Sequence, residues 1–215
     1  MKKELGNLRK NYTANTLEEA NIPNEPLTLF DQWFEEVSKA GGIEEVNAMT
    51  LSTVDAHANV RGRVVLLKDI IDDGFVFYSN YKSGKCQALF NHPKVSLSFF
   101  WPNLERQVII SGMAEKTTEA VSDAYFSSRP RGSQLGAHAS AQSQPIDSRS
   151  VLEEHLEILT QKFDGKHIPR PVHWGGIIVN PQRIEFWQGR PNRLHDRIEY
   201  TKFDGSSWTR KRLAP

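Results

Sequence analysis

From residue 48 onward the chain is written as short apolar runs separated by tight polar turns, and this punctuation constrains the fold more than any other feature. Met49–Val54 is followed by Asp55-Ala56-His57-Ala58-Asn59 and then by Val60–Ile71. Asp72-Asp73-Gly74 leads into Phe75–Ser79, and an Asp-Gly pair between apolar runs favours the reversal that joins antiparallel neighbours. Val95–Trp101 and Arg106–Lys116 flank Pro102-Asn103, and the texture returns in Trp174–Val179, Arg183–Gln188, Leu194–Phe203 and Trp208–Leu213. About eight strands at hairpin spacing, without regular strand–helix alternation, disfavour a doubly wound parallel sheet. A mainly β, antiparallel barrel with peripheral helices (α+β) is expected.

The helices fall between and around these strands. In Leu27–Ala40, Phe30, Trp33, Phe34 and Val37 recur at helical spacing, and Gly41-Gly42 supplies the stop. Ser83–Asn91 is helix-compatible and ends before Pro93. Thr118 suits the N-cap of a helix to about Ser128, which Pro130 terminates. Gly132–Pro145 is small and polar and is expected to be a loop. Ser150 is expected to cap Val151–Phe163, with Leu152, His155, Leu156, Leu159 and Phe163 on one face. Residues 1–24 form a polar arm, expected to be mobile, and 25–215 a single domain.

Charge narrows the function classes. With 27 basic and 26 acidic residues the net charge is +1, which speaks against a general nucleic-acid coat. The single cysteine, Cys86, rules out an intramolecular disulfide and a cysteine-based metal site. The histidines are scattered, so no metal is expected. The first thirty residues hold no continuous apolar stretch of the kind a signal peptide needs, and no run is long enough to span a bilayer; a cytoplasmic protein is expected.

The cations that matter are local. If residues 193–197 run as a strand, Arg193, His195 and Arg197 share one face, because side chains alternate with period two. Guanidinium forks bind phosphate through paired, charge-assisted bonds, and the imidazole changes protonation near neutrality. Taken alone, an R-x-H-x-R favours a solvated edge strand over a binding face, and the rest of the chain reverses that preference. Arg61, Arg63 and Lys68 bracket an apolar strand, Lys68 on the opposite face unless a bulge intervenes. Tyr125 and Arg129 share a helical face, and Arg131-Gly132-Ser133 follows. Ser83-Gly84-Lys85 is not a P-loop, and no G-x-G-x-x-G or G-x-S-x-G occurs. Separate cationic segments without nucleotide loops imply a phosphorylated small-molecule site, with two phosphates bound near each other.

In these segments the chain resembles the pyridoxine (pyridoxamine) 5′-phosphate oxidase family. The matching stretches are Pro26–Phe30, Arg63–Lys68, Tyr78-Ser79, Gln107, Tyr125-Phe126 with Ser128-Arg129-Pro130, and Gln142-Ser143. Phe186-Trp187-Gln188-Gly189, Arg193–Arg197 and Arg212–Pro215 complete the set. The resemblance implies a split β-barrel homodimer with FMN at the subunit interface. By position, FMN would be held by Arg63, Val64, Val65, Leu66, Leu67, Lys68, Tyr78, Ser79 and Lys85. Gln107, Gln142, Ser143, Trp187 and Arg197 would complete that site. Lys68, Tyr125, Arg129 and Ser133 would take the substrate phosphate, Arg193 and His195 would sit over its ring as the catalytic pair, and Arg9 and Tyr12 would cover it. The implied reaction oxidises pyridoxine or pyridoxamine 5′-phosphate to pyridoxal 5′-phosphate with oxygen as acceptor, releasing peroxide, and ammonia from the amine. Gly84 departs from the pattern, because the family usually carries arginine there. The alternatives are a split-barrel flavin reductase with another substrate and a non-catalytic carrier of flavin or pyridoxal phosphate.

Overall fold

The computed structural model describes residues 5–203 and 207–215. Among them are nine strands: β1 (Ala48–Val54), β2 (Val60–Leu66), β3 (Asp69–Ile71), β4 (Gly74–Asn80), β5 (Lys94–Trp101), β6 (Arg106–Lys116), β7 (Trp174–Gln188), β8 (Asp196–Thr201) and β9 (Thr209–Leu213). They form one sheet in the order β2-β1-β5-β6-β7-β4-β3, with β8 pairing with β7 and β9 with β8. The pairs β3–β4, β4–β7, β7–β8 and β8–β9 are antiparallel. Five helices accompany them: α1 (Pro26–Ala40), α2 (Gly84–Asn91), α3 (Glu119–Ser128), α4 (Arg131–Ala139) and α5 (Arg149–Lys162). None is long and apolar enough to cross a membrane. The mainly β, antiparallel expectation holds.

The chain divides into two compact units. Among the described residues the first comprises 5–50, 96–111, 181–203 and 207–215. Its core is aromatic: α1 buries Leu29, Phe30, Trp33 and Val37. Phe30 meets Phe99 edge-on at 5.3 Å, and Trp33 meets Phe186 at 5.2 Å. Pro26 starts α1 where its missing N–H costs nothing, and Gly41 (φ 68°) and Gly42 (φ 81°) end it in the left-handed region. Arg106 is buried in this unit, donating to Gln188 Oε1 (3.0 Å) and Glu36 Oε2 (2.6 Å).

The second unit comprises residues 51–95 and 112–180. β4 is almost wholly buried and pairs with β7, Tyr78 opposite Gly176 and Asn80 opposite Trp174. Asp72 (φ 47°) and Asp73 (φ 66°) form the tight reversal between β3 and β4, as the Asp-Gly signal predicts. Thr118 caps α3 by accepting from the Val121 amide.

Several elements differ from expectation. Val60–Ile71 is two strands rather than one: β2 ends at Leu66, and the Lys68 amide donates to Val76 O (2.8 Å) as the chain joins β4. A change of strand partner, which alternation of side chains does not reveal, causes the break. Residues expected as a loop contain α4, which starts directly after Pro130 and buries Leu135 and Ala139 one turn apart. Leu135 packs with Phe126, Ile168 and Trp174, and that burial outweighs the turn-like composition. Helix α5 begins at Arg149 with Ser148 at its N-cap, ahead of Ser150, and has no fully buried residue. Trp174–Gln188 is one continuous strand, its two halves paired with β4 and β8. Residues 193–197 are not a strand: Pro191–Arg193 is a single 3-10 turn, and β8 begins only at Asp196.

Candidate active site

Each unit carries its own concave site. That of the second unit is a cavity of 470 Å³ floored by Val64, Val65 and Leu66 of β2, with Lys68 at the strand break and Tyr78, Ser79 and Asn80 from β4. Lys85 of α2, Tyr125 of α3, Arg129, Ser133 of α4, Gln142 and Trp174 complete the polar and aromatic wall. The partner switch after Leu66 is what brings Lys68 to the same cavity as Val65.

The cations here are positioned rather than neutralised. Lys85 Nζ donates to Ser79 Oγ (3.0 Å), Ser83 Oγ (3.3 Å) and Gln142 Oε1 (3.3 Å), all neutral acceptors. Burial therefore lowers its pKa. Tyr78, Tyr125 and Trp174 stack nearly parallel, Tyr78 on Tyr125 at 3.7 Å and on Trp174 at 5.5 Å. Burial pushes the Tyr78 hydroxyl up to about 12, so it remains a neutral donor. The Arg129 guanidinium lies 4.6 Å from the Trp174 ring centroid, a cation–π contact. Its Nη1 is buried with no hydrogen-bond partner among the described residues, and burial lowers the pKa of the group. A buried, charged donor without an acceptor costs free energy unless an anion arrives.

The site of the first unit is a pocket of 730 Å³ lined by residues 8–12 together with Trp187, Arg190, Asn192, Arg193 and His195. Tyr12 meets Trp187 edge-on at 5.7 Å and His195 at 5.7 Å, and Trp187 lies 4.7 Å from His195. The Arg190 amide donates to His195 Nδ1 at 3.1 Å. Neutral His195 therefore carries its proton on Nε2 and presents a donor there. Burial, then the Arg193 charge, lowers the His195 pKa, so the neutral form dominates at pH 7. Arg190 Nη1 is buried without a hydrogen bond, the Asp196 carboxylate lying 3.6 Å away as an ion pair. Asn192 (φ 57°) and Arg193 (φ 62°) are both left-handed, a conformation that costs about 1–2 kcal/mol at a residue such as arginine. This turn, not strand alternation, presents Arg193 and His195 to one pocket.

Of the expected cofactor ligands, Val64, Val65, Leu66, Lys68, Tyr78, Ser79, Lys85 and Gln142 share the second unit's cavity. Arg63 lies next to it, with Nη1 donating to Leu51 O (3.1 Å) and Thr53 Oγ1 (2.7 Å). Leu67 is buried, and Ser143 is exposed with φ 73°. In the first unit Trp187 lines the pocket, whereas Gln107 lies half-buried on β6 and lines neither site. Arg197 is engaged elsewhere: it grips Glu185 through Nε (2.8 Å) and Nη2 (3.1 Å) and donates to Ala214 O (2.8 Å). The expected substrate ligands divide between the sites, Lys68, Tyr125, Arg129 and Ser133 in one and Arg9, Tyr12, Arg193 and His195 in the other. Sequence reasoning missed Asn80, Trp174 and Arg190. Trp174 reads in sequence only as the start of a strand; the sign of its role is a half-buried arginine on its face, which only the fold supplies. Among the described residues no group of three His, Cys, Asp or Glu could hold a metal ion.

Residues 35–162 match the family model described as pyridoxamine 5′-phosphate oxidase, and residues 174–215 match the pyridoxine 5′-phosphate oxidase C-terminal dimerisation region. The chain belongs to the pyridoxamine 5′-phosphate oxidase family. A pyridoxine/pyridoxamine 5′-phosphate oxidase of Flavobacterium johnsoniae is 55% identical over 211 residues, covering 98% of this chain and 99% of the relative. The Synechocystis protein of the same name is 51% identical, with 98% of each chain covered. Among solved structures, PhzG from Burkholderia lata 383, in complex with tetrahydrophenazine-1-carboxylic acid, superposes with a TM-score of 0.86 at 28% identity, over 94% of this chain and 99% of PhzG. A pyridoxamine 5′-phosphate oxidase-related, FMN-binding protein of Nostoc punctiforme gives 0.72 at 13% identity, over 90% of this chain and 100% of that one, and shares the fold. The fold is thus the split barrel of this family. The protein is an FMN-dependent oxidase of pyridoxine and pyridoxamine 5′-phosphates, and its dimerisation region pairs it with a second copy. The residues present fit a phosphorylated cofactor and substrate, since Arg129 holds an unanswered buried donor and Lys85 only neutral acceptors.

Proposed function

We propose that this oxidase, in the cytoplasm, passes electrons from C4′ of pyridoxine or pyridoxamine 5′-phosphate to dioxygen, with hydrogen peroxide as the second product. When bound, FMN supplies the hydride acceptor. Arg63 through Lys68, Tyr78, Ser79, Lys85, Gln107, Gln142, Ser143, Trp187 and Arg197 hold that cofactor at the subunit interface, where a two-fold axis offers each site residues from both chains. Lys68, Tyr125, Arg129 and Ser133 anchor the substrate phosphate. Fixing the phosphate orients the distant C4′, which is an entropic contribution to rate. Arg193 sets a positive charge beside the ring substituents, and His195 donates from Nε2. With Nδ1 occupied by the Arg190 amide, His195 orients the substrate as a donor and does not take its proton. Arg9 and Tyr12, in the N-terminal arm, close the site and exclude water; the first four residues of that arm lie outside the described residues.

One observation carries this reading: the buried, unpartnered Arg129 Nη1 in a cavity shared with Lys68, Tyr125 and Ser133. The test is an anaerobic visible spectrum of the FMN-loaded protein before and after adding pyridoxine 5′-phosphate. Bleaching that air reverses, with pyridoxal 5′-phosphate and peroxide formed, is expected. A yellow protein that neither B6 phosphate bleaches would overturn the assignment.

A further inference from the structure

Glu105 has no part in the roles above, yet it is a buried carboxylate at the turn between β5 and β6, its side chain 5% exposed. Its backbone is left-handed (φ 58°), a conformation that a glutamate adopts only when its surroundings hold it there. A carboxylate so placed needs strong partners. Both come from the N-terminal arm: Lys10 Nζ lies 2.9 Å from Oε1, and the Ala14 amide donates to Oε2 at 3.0 Å. The carbonyl of the same residue accepts from the Gly189 amide (2.8 Å) and from Gln188 Nε2 (3.3 Å). One residue therefore ties the arm to the corner that leads from Trp187 to Arg190.

Gly189 supplies an independent observation. A Cβ there would stand 2.8 Å from Tyr12 Cγ, 2.9 Å from Tyr12 Cβ and 3.1 Å from Glu105 Cβ. The arm thus lies directly on the Gly189 backbone, where only a residue without a side chain leaves room. The contact aims the Tyr12 ring edge-on at Trp187 and His195.

We propose that Glu105 and Gly189 form a latch that seats residues 10–14 and positions Tyr12 against Trp187 and His195. Glu105 is a positioning residue, acting on the substrate through Tyr12, and the inference rests on the proposed role of the Tyr12–Arg193–His195 pocket. The carboxylate is suited to the task because its two oxygens take different donors of the arm, Lys10 at Oε1 and the Ala14 amide at Oε2. A carboxamide offers only one acceptor, and its NH₂ faces a donor at the other position.

The test uses full-length, FMN-loaded Glu105→Gln and Gly189→Ala proteins, with hydrogen exchange of the segment carrying Tyr12–Ala14 as the first readout and steady-state kinetics as the second. Both variants are expected to speed exchange of the Ala14 amide about tenfold or more. Both should raise KM for pyridoxine 5′-phosphate several-fold, with kcat changed less and FMN content unchanged. Unchanged exchange in both variants overturns the latch. Faster exchange with KM and kcat both at wild-type values overturns the positioning role. The exchange readout needs no turnover, so a wild-type protein that fails to oxidise B6 phosphates counts against the proposed function and leaves the latch decided on its own.

Discussion

Replacing Arg129 by Met separates the cost of holding a charge from the benefit of using it. In the free protein the guanidinium rests on Trp174 and leaves Nη1 buried without a partner. Methionine removes a cation–π contact worth about 0.5–2 kcal/mol and also removes an unsatisfied donor costing about 1–3 kcal/mol. The two nearly cancel, and since 1 kcal/mol moves the midpoint by roughly 2–4 °C at this size, Tm should stay within about 4 °C of wild type. With substrate bound the terms no longer cancel. The lost charge-assisted bond to phosphate is worth about 1.5–3 kcal/mol, or roughly one to two decades in affinity. Steady-state kinetics on pyridoxine 5′-phosphate should show KM raised about 10- to 100-fold, kcat changed less than about threefold, and FMN content intact. Unphosphorylated pyridoxine is the internal control, because whatever turnover it supports should not depend on Arg129. An equal loss for both substrates, or a KM within about threefold of wild type, would refute the phosphate-anchor argument.

Other expectations follow from single positions. At Gly84 a Cβ would meet only Ser143 Oγ at 4.0 Å, so a side chain can leave the backbone there without a clash, and Gly84→Arg should tighten FMN binding about tenfold by titration; an unchanged or weaker Kd would count against a missing phosphate contact. Arg193→Gly relieves a left-handed arginine, so the melting midpoint should not fall, whereas turnover should drop at least about a hundredfold at unchanged FMN content; near-normal turnover removes Arg193 from the chemistry. His195 should titrate below the ordinary histidine value when followed by NMR, because burial and Arg193 oppose its charge and a protonated Nδ1 can no longer accept from Arg190. The unfolded chain then binds this proton more readily than the folded one, so stability from this group is constant above pH about 6.5 and declines as pH falls below it. A titration midpoint above 6.5 would contradict the bond at Nδ1.

The strands of this fold were legible because hairpin turns leave local marks: Asp72-Asp73-Gly74 and Pro102-Asn103 sit where the sheet reverses. What sequence could not show is where a strand changes partners. Leu67-Lys68 looks like the continuation of an apolar run, and only the pairing of β3 with β4 reveals the break. Small residues hid α4, since its helicity depends on Leu135 finding Phe126 and Trp174. Arg193 and His195 do line one pocket, but not for the geometric reason expected. Alternation along a strand would have aligned Arg197 with them, but the turn at Pro191–Arg193 separates it, and Glu185 takes its guanidinium. Motif resemblance supplied the candidate ligands; the fold adds that Arg197 and Arg63 already hold protein partners, which any ligand would have to share.

The pairing of β4 with β7 has a consequence for how the protein comes into being. Tyr78 faces Gly176 and Asn80 faces Trp174, so the wall that seats Arg129 joins segments roughly a hundred residues apart, and such non-local pairings close slowly. During synthesis the emerging chain already carries Arg129 but lacks the strand whose Trp174 ring packs against it. A nascent chain halted before Trp174 leaves the Arg129 guanidinium without the ring it rests on. Completion of the second unit's cavity therefore waits for β7, so its wall closes late in the emergence of the chain rather than guiding the segments made before it.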